Sequence, residues 1–566
     1  MLFAIVMGVA PSVVAEPRNQ IVAEPRNQIV AEPRNQIVAE PSALAPAEAH
    51  ALEPAKSATG TVAAGQAADF EVVVHEGDFV QGRVESPAGA IALDLVGDTG
   101  AHIRRLASPG ASDQDFMFVP ATQGTARLRL SAEGAAQPYT LTITRILARA
   151  AQVPPAPSYL SPRIAKLAQQ VAAGGGTGEF WTSIAAEGAP MVEPASDPRK
   201  RIVTFLWRGA EHNVRLFGGP SNDHDWMDRL GTSDVWFKTY EIPSSTRLAY
   251  KLAPDIPELP GSARERRRAL LATAQADPLN KARPWPPNAG DPFNRESVLT
   301  LPDAPPEPWI EERGAPKGAL TQHRFASAIL GNERDVALYF SHGFEPGNPV
   351  HALLVLFDAA PYLEKVPTPT ILDNLVAAGK IPPLLAVMVG NPSSETRGRE
   401  LPCNADFGRA LATELLPWVR TQTKKSAQAA RTVVAGSSYG GLASACIARD
   451  HPDVFGNVLS LSGSFWWHPD FERGGEEPEW LTRQYAAEPA RPIRFFLGAG
   501  LFETGREQPG ILETTRHLRD VLIAKGYDVT HREYAATHDY LAWRSSLADG
   551  LIALLGRDGG AKADPH

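Results

Sequence analysis

The stretch Thr432-Val433-Val434-Ala435-Gly436-Ser437-Ser438-Tyr439-Gly440-Gly441-Leu442 decides the fold. An apolar, β-branched run reaches Gly436, and a helical pattern opens at Leu442. Gly436-Ser437-Ser438-Tyr439-Gly440 is therefore Gly-x-Ser-x-Gly at a strand-to-helix turn, with Ser438 at the apex. Small residues on either side let strand and helix approach closely while the serine takes strained backbone angles. Taken alone, the same five residues also fit an ordinary β-α connection.

The surrounding sequence narrows that choice. Strand patterns at 337–340, 352–357, 384–389, 432–435, 458–461, 493–497 and 529–534 alternate with helical patterns at 371–378, 405–419, 442–449 and 511–525. Continuous apolar strands alternating with helices specify a parallel sheet covered on both faces. The expected class is α/β: an α/β-hydrolase catalytic domain over 306–557 with a short tail over 558–566.

A serine hydroxyl is a poor nucleophile at neutral pH and needs a general base, itself oriented by an acid. In this architecture the chain order is serine, acid, histidine. His538 follows the last strand and precedes a helical pattern containing Trp543, whereas His451, His517 and His531 sit within element patterns. The acid should follow the preceding strand, where Glu503 stands, with Glu507 its rival. Asp539, next to the histidine, is awkwardly placed, and a Ser-His dyad remains an alternative. An oxyanion hole needs two backbone N–H groups; Tyr439 is expected to supply one and Ala359, after the strand ending in Phe357-Asp358, the other. Arg397 and Arg399 are candidate contacts for anionic oxygens, and Trp466 and Trp467 candidate aromatic contacts, against the simpler readings of surface ion pairs and core edge.

Upstream, 155–305 reads as a helix followed by a β-rich domain. Its Trp226 and Trp236 either belong to a core or present flat faces to an aromatic ligand, Trp236 being the one taken as a substrate contact. A proline-rich linker is expected from about Trp285 to Pro308. Over 59–147 period-two alternation and frequent turns indicate a small antiparallel β-sandwich. By pattern it resembles the pre-peptidase C-terminal modules of secreted bacterial hydrolases, which suggests either an envelope or glycan contact or a structural role. Before it, 16–58 is expected to be a disordered linker: Glu-Pro-Arg-Asn-Gln-Ile-Val-Ala occurs in three perfect copies over 16–39, too short a unit for a solenoid and broken by proline. Residues 1–15 are apolar and end in Ser12-Val13-Val14-Ala15, like a secretory signal without its basic front end. That favours a periplasmic or secreted protein over a cytoplasmic one. The run is too short to span a bilayer, so no transmembrane segment is expected.

Composition narrows the classes further. The 566 residues are 43% hydrophobic and 21% charged, with a net charge of -9, which leaves no basic footprint for nucleic acid. Two cysteines, Cys403 and Cys446, make neither a disulfide framework nor a four-ligand zinc site; two separate buried thiols are expected, although they could pair if they meet in space.

Gly436-Ser437-Ser438-Tyr439-Gly440-Gly441-Leu442, Arg399-Glu400-Leu401-Pro402-Cys403-Asn404-Ala405-Asp406-Phe407, the run Phe455 to Trp467, and His538-Asp539 with Trp543-Arg544 together resemble the enterochelin (enterobactin) esterases. Val203 to Arg208, Thr232 to Trp236 and Asp277 to Asn280 resemble that family's N-terminal domain. The resemblance implies hydrolysis of the trilactone esters of a ferric catecholate siderophore, with Fe(III) present only as part of the substrate and no cofactor. Arg397 and Arg399 would then pair with the anionic complex and the tryptophans stack on its rings. Asp358-Ala359 replaces the family's usual Asp-Gly, which leaves the second oxyanion donor open. Feruloyl or acetyl esters of polysaccharides are the alternative substrates, and an inactive binder the alternative class.

Overall fold

The computed structural model describes residues 49–132, 134–152, 158–221, 224–426, 428–469, 478–505 and 508–556. The signal-like stretch, the octapeptide copies, Glu507 and the tail 558–566 lie outside them. The chain forms two compact units, divided after Ala156.

The first unit is a sandwich of two sheets. One has the strand order His50–Ala51, Ala67–Val74, Gly124–Ala132, Ile91–Val96, His102–Ala107; the other runs Ser57–Val62, Gln137–Leu147, Phe79–Glu85, Asp113–Phe118. Alternate residues such as Phe70, Val72, Val80, Leu93, Phe116, Leu128 and Ile143 close the core between them. The ordered module begins earlier than expected: His50–Ala51 pairs in parallel with Phe70–Glu71, so the last residues assigned to the linker are strand.

The second unit, from Pro157 on, opens with helix Pro162–Ala172. Ser161 caps it by accepting a hydrogen bond from the Ile164 N–H, and Ile164 and Leu167 are buried. Two four-stranded antiparallel sheets follow, Met191–Pro194, Lys200–Arg208, Val235–Pro243, Asp228–Arg229 and Asp225–Trp226, Val214–Phe217, Arg247–Pro254, Ser297–Thr300. Part of the expected linker is thus a strand, since Ser297–Thr300 pairs with Arg247–Tyr250.

An eight-stranded sheet occupies the rest, in the order Ala319–Ser327, Asn332–Phe340, Leu384–Val389, Ala352–Phe357, Thr432–Ser437, Asn457–Leu461, Arg494–Gly500, Asp528–Tyr534. The first two pairings are antiparallel and all later ones parallel. The central strands are buried on both faces because helices cover each side: Leu442, Phe407 and Leu518 pack on one face, Ile371, Leu547 and Leu551 on the other. Such a sheet presents its chemistry at the carboxyl ends of its strands. Among the described residues no helix is long and apolar enough to cross a membrane.

Cys403 and Cys446 form a disulfide, with Cα atoms 5.3 Å apart, in place of the two separate thiols expected. Helix packing brings them together: Cys446 lies on helix Tyr439–Asp450, and helix Ala405–Ala410, two residues past Cys403, packs against it.

Candidate active site

Strand Thr432–Ser437 passes directly into helix Tyr439–Asp450, and Ser438 joins them with φ 58° and ψ −123°. Such angles are costly for a residue with a Cβ and persist only where surroundings enforce them. Here the enforcement is visible: the Ser438 N–H donates to the Leu461 carbonyl at 3.0 Å, and its carbonyl accepts from the N–H groups of Leu442 at 3.1 Å and Ser464 at 3.2 Å. A Cβ on Gly436 would lie 2.6 Å from the Gly440 carbonyl carbon, and one on Gly441 2.6 Å from Ser460 Oγ. Those glycines allow the helix to start hard against two strands.

His538 and Glu503 come from the loops after the last two strands. Nδ1 of His538 is 2.5 Å from Oε1 of Glu503, while Oε2 of Glu503 accepts from the Gly500 N–H at 2.5 Å. Glu503 is fully buried and the histidine side chain one third exposed, an orientation suited to a base that meets solvent and substrate on its outer edge. Trp543 fixes the imidazole: its ring stands edge-on, with centroids 4.9 Å apart, and its indole N–H donates to Ser462 Oγ at 2.9 Å. Asp539 has another task, accepting from the Ala542 N–H and the Thr537 hydroxyl as the N-cap of helix Tyr540–Leu555.

Ser438 and His538 line one cavity of about 430 Å³. Its walls come from both halves of the second unit: Phe217, His224 and Trp285 from the first, Lys365, Arg397, Phe502 and Tyr540 from the second. Phe502, beside Glu503, packs against the core of the preceding β domain, which holds the acid's loop to that domain. Ser464 Oγ lies 3.5 Å from Ser438 Oγ.

The expected contacts divide. Tyr439 is the first residue of the elbow helix, and Ala359 the first of helix Ala359–Glu364, so both N–H groups stand at helix starts. The Asp358 turn is close to the elbow, since a Cβ on Gly440 would be 3.6 Å from Asp358 Oδ2. Arg397 lines the cavity, but its guanidinium is held in two parallel bonds by Asp358, 2.7 and 2.8 Å long. Burial opposes its charge, and the Asp358 bond and charge outweigh burial, so its pKa is raised. Arg399 is exposed, 3.9 Å from Glu395, outside the cavity lining. Trp236 is a core residue rather than a ligand contact: it is 7% exposed and its indole donates to the Ala210 carbonyl at 3.0 Å. Trp467 packs edge-on against Trp480, and the Trp466 ring is 6.1 Å from that of Tyr439; neither lines the cavity. The pairing of Arg397 with Asp358 and the place of Lys365 in the cavity carry no sequence signal, because a single charge at a helix end follows no pattern. His224 and Trp285 belong to the other half and join the site only through tertiary packing.

Comparison with known proteins bears on the family of the chain. A family model described as "Putative esterase" matches residues 327–554, and one described as "Enterochelin esterase, N-terminal" matches 202–310. The chain is 32% identical over 418 residues to an iron(III) enterobactin esterase of Dickeya dadantii, covering 67% of this chain and 93% of that one. It is 33% identical over 376 residues to the iron(III) enterobactin esterase of Escherichia coli K12, covering 62% and 90%. The crystal structure of an enterobactin esterase from Shigella flexneri in the presence of enterobactin matches with a TM-score of 0.53 at 30% identity, over 66% of this chain and 97% of that one. With both domain models matched in order and nearly the whole of such relatives covered, the chain belongs to the enterochelin esterase family.

Proposed function

We propose that the protein is a serine esterase that hydrolyses the trilactone ester bonds of a ferric catecholate siderophore, through an acyl-enzyme, so that iron can be released. The observation that carries the mechanism is the buried Glu503 bonded to His538 at the cavity that also holds Ser438. Ser438 Oγ attacks the ester carbonyl while Nε2 of His538 takes its proton, and Glu503 keeps the Nδ1 proton pointed away from the nucleophile. The N–H groups of Tyr439 and Ala359 receive the oxyanion. Collapse returns the proton from His538 to the departing serine hydroxyl of the siderophore, and water attacks the acyl-enzyme by the same relay. Fe(III) enters with the substrate, and the chemistry calls on no resident cofactor. The substrate class rests on the family and on what its named members act upon.

Ferric enterobactin and feruloyl or acetyl polysaccharide esters, assayed side by side, test this. Release of catechoyl-serine products by the wild type is expected, and Ser438→Ala should lower kcat by roughly 10⁴-fold or more. Faster turnover of polysaccharide esters would overturn the substrate, and failure of a fluorophosphonate probe to label Ser438 in folded protein would overturn the mechanism.

We also place the protein in the periplasm, where the Cys403–Cys446 disulfide would persist and to which the signal-like residues 1–15 would direct it. Recovery of the protein from the cytosol, with 1–15 intact, would refute this. An envelope or glycan contact for the first unit is the accompanying proposal, to be checked by pull-down of residues 49–152 on cell-wall material.

A further inference from the structure

The arginine in the cavity is already committed to a partner. Both bonds of the Arg397 fork go to Asp358, so its charge is largely cancelled within the protein. Lys365 is different. It caps the C-terminus of helix Ala359–Glu364, its N–H bonding to the Pro361 carbonyl, and the first residue of that helix is Ala359, the expected oxyanion donor. Its ammonium stands 5.8 Å from the ring centroid of Trp285 and 5.5 Å from that of Tyr540, and both rings also line the cavity. Two aromatic faces from distant parts of the chain therefore hold one cation without neutralising it.

The carboxyls around it answer it weakly. Among the described residues Lys365 forms no ion pair, and Glu296 feels it only through charge. Glu296 lines the same cavity; burial first, and the charge of Asp539 second, hold its carboxyl above the ordinary range against the pull of Lys365 and Lys251. Asp539 is raised by its own burial, and its oxygens are engaged by Thr537 and the Ala542 N–H. The cavity that holds Ser438 thus also holds a lysine paired with no described carboxylate, and burial disfavours the charged form of the two carboxyls in its lining.

We infer that Lys365 determines specificity for the iron-loaded substrate by binding the negative charge of the ferric catecholate. The inference rests on the substrate reading above and deepens it. Six phenolate oxygens around Fe(III) make a triply anionic complex, whereas the iron-free trilactone keeps its phenols protonated near neutral pH. The ester is common to both forms, so a cation in the cavity discriminates by charge alone.

The test is steady-state hydrolysis of ferric and iron-free enterobactin by wild type, Lys365→Met and Lys365→Arg. Methionine keeps an unbranched apolar stem against Trp285 and Tyr540; arginine keeps the charge. Losing a charge-assisted contact should cost Lys365→Met about tenfold or more in kcat/KM on the ferric form, carried by KM. Its rate on the iron-free form should change less than about twofold, and Lys365→Arg should retain most of the ferric activity. An equal fall on both forms, a fall confined to kcat, or no change would overturn the role of Lys365 while leaving the esterase reading intact. A wild type that cleaves neither form would overturn that reading itself.

Discussion

Ser438 can keep its strained angles only because nothing larger than hydrogen occupies Gly436 or Gly441. Gly436→Ala would press a methyl group to 2.6 Å from the Gly440 backbone, which a backbone atom can relieve only by moving. A loss of about 1–3 kcal/mol in stability is expected by denaturant titration, together with loss of activity from a displaced nucleophile. Glu503→Gln should leave the fold intact, because the Gly500 N–H keeps its acceptor, while kcat falls by up to roughly 10⁴-fold as the imidazolium loses its counter-charge; circular dichroism beside the kinetics checks both halves. At this scale the sequence was most informative where chemistry is tied to a turn. Ser438, Glu503 and His538 each follow a strand, so chain order alone brings them to one end of the sheet. Trp236 shows the opposite: a tryptophan in a strand gives no sign of which face of a sandwich it enters, and here that face is the core.

The parallel strands were legible because burial on both faces leaves unbroken apolar runs such as 352–357. Several strands at sheet edges were not. Ala319–Ser327 and His102–Ala107 lie at sheet edges, and their mostly exposed residues include Thr321, Gln322 and His323 in the one and His102, Arg104 and Arg105 in the other. An edge strand in water has little apolar period to read. The disulfide was equally hidden, since its cysteines are 43 residues apart and only helix packing brings them together. It joins the segment that carries Arg397 to the elbow helix. Cys446→Ser, or reduction, should lower the unfolding free energy by about 2–4 kcal/mol, read as a shift of the denaturant midpoint against the oxidised wild type. Asp539→Ala should cost about 1 kcal/mol through loss of the cap on Tyr540–Leu555.

Across the second unit, Glu307 is the point where three segments meet. It takes two bonds from Arg544 and one from Ser545 on the last helix, and faces Arg247 of the β domain at 3.4 Å. Burial pushes its carboxyl up, but the Arg544 bond and charge outweigh that and leave it below the ordinary range. Its folded pKa is therefore depressed. The stability it contributes is complete above the unfolded carboxylate pKa, about 4.3, and is lost as pH falls through that value toward the folded one. Glu307→Gln should flatten this acid limb in a plot of melting temperature against pH; an unchanged limb would refute the assignment. How the halves of this unit close on one another could not be read from the chain, because contacts between Ala249, Trp285 and Leu541 follow no local pattern.

The shared cavity also bears on how such an enzyme diverges. Ser438, His538 and Glu503 all belong to the α/β half, whereas Phe217, His224 and Trp285 reach the cavity from the other. Acceptance of a new ester can therefore arise by drift in the β half, with Ser438, His538 and Glu503 left untouched. The share of selectivity that the β half contributes and catalytic competence are in this sense separately heritable, and a library confined to the cavity-facing positions of the β half would explore new substrates without first disabling the enzyme.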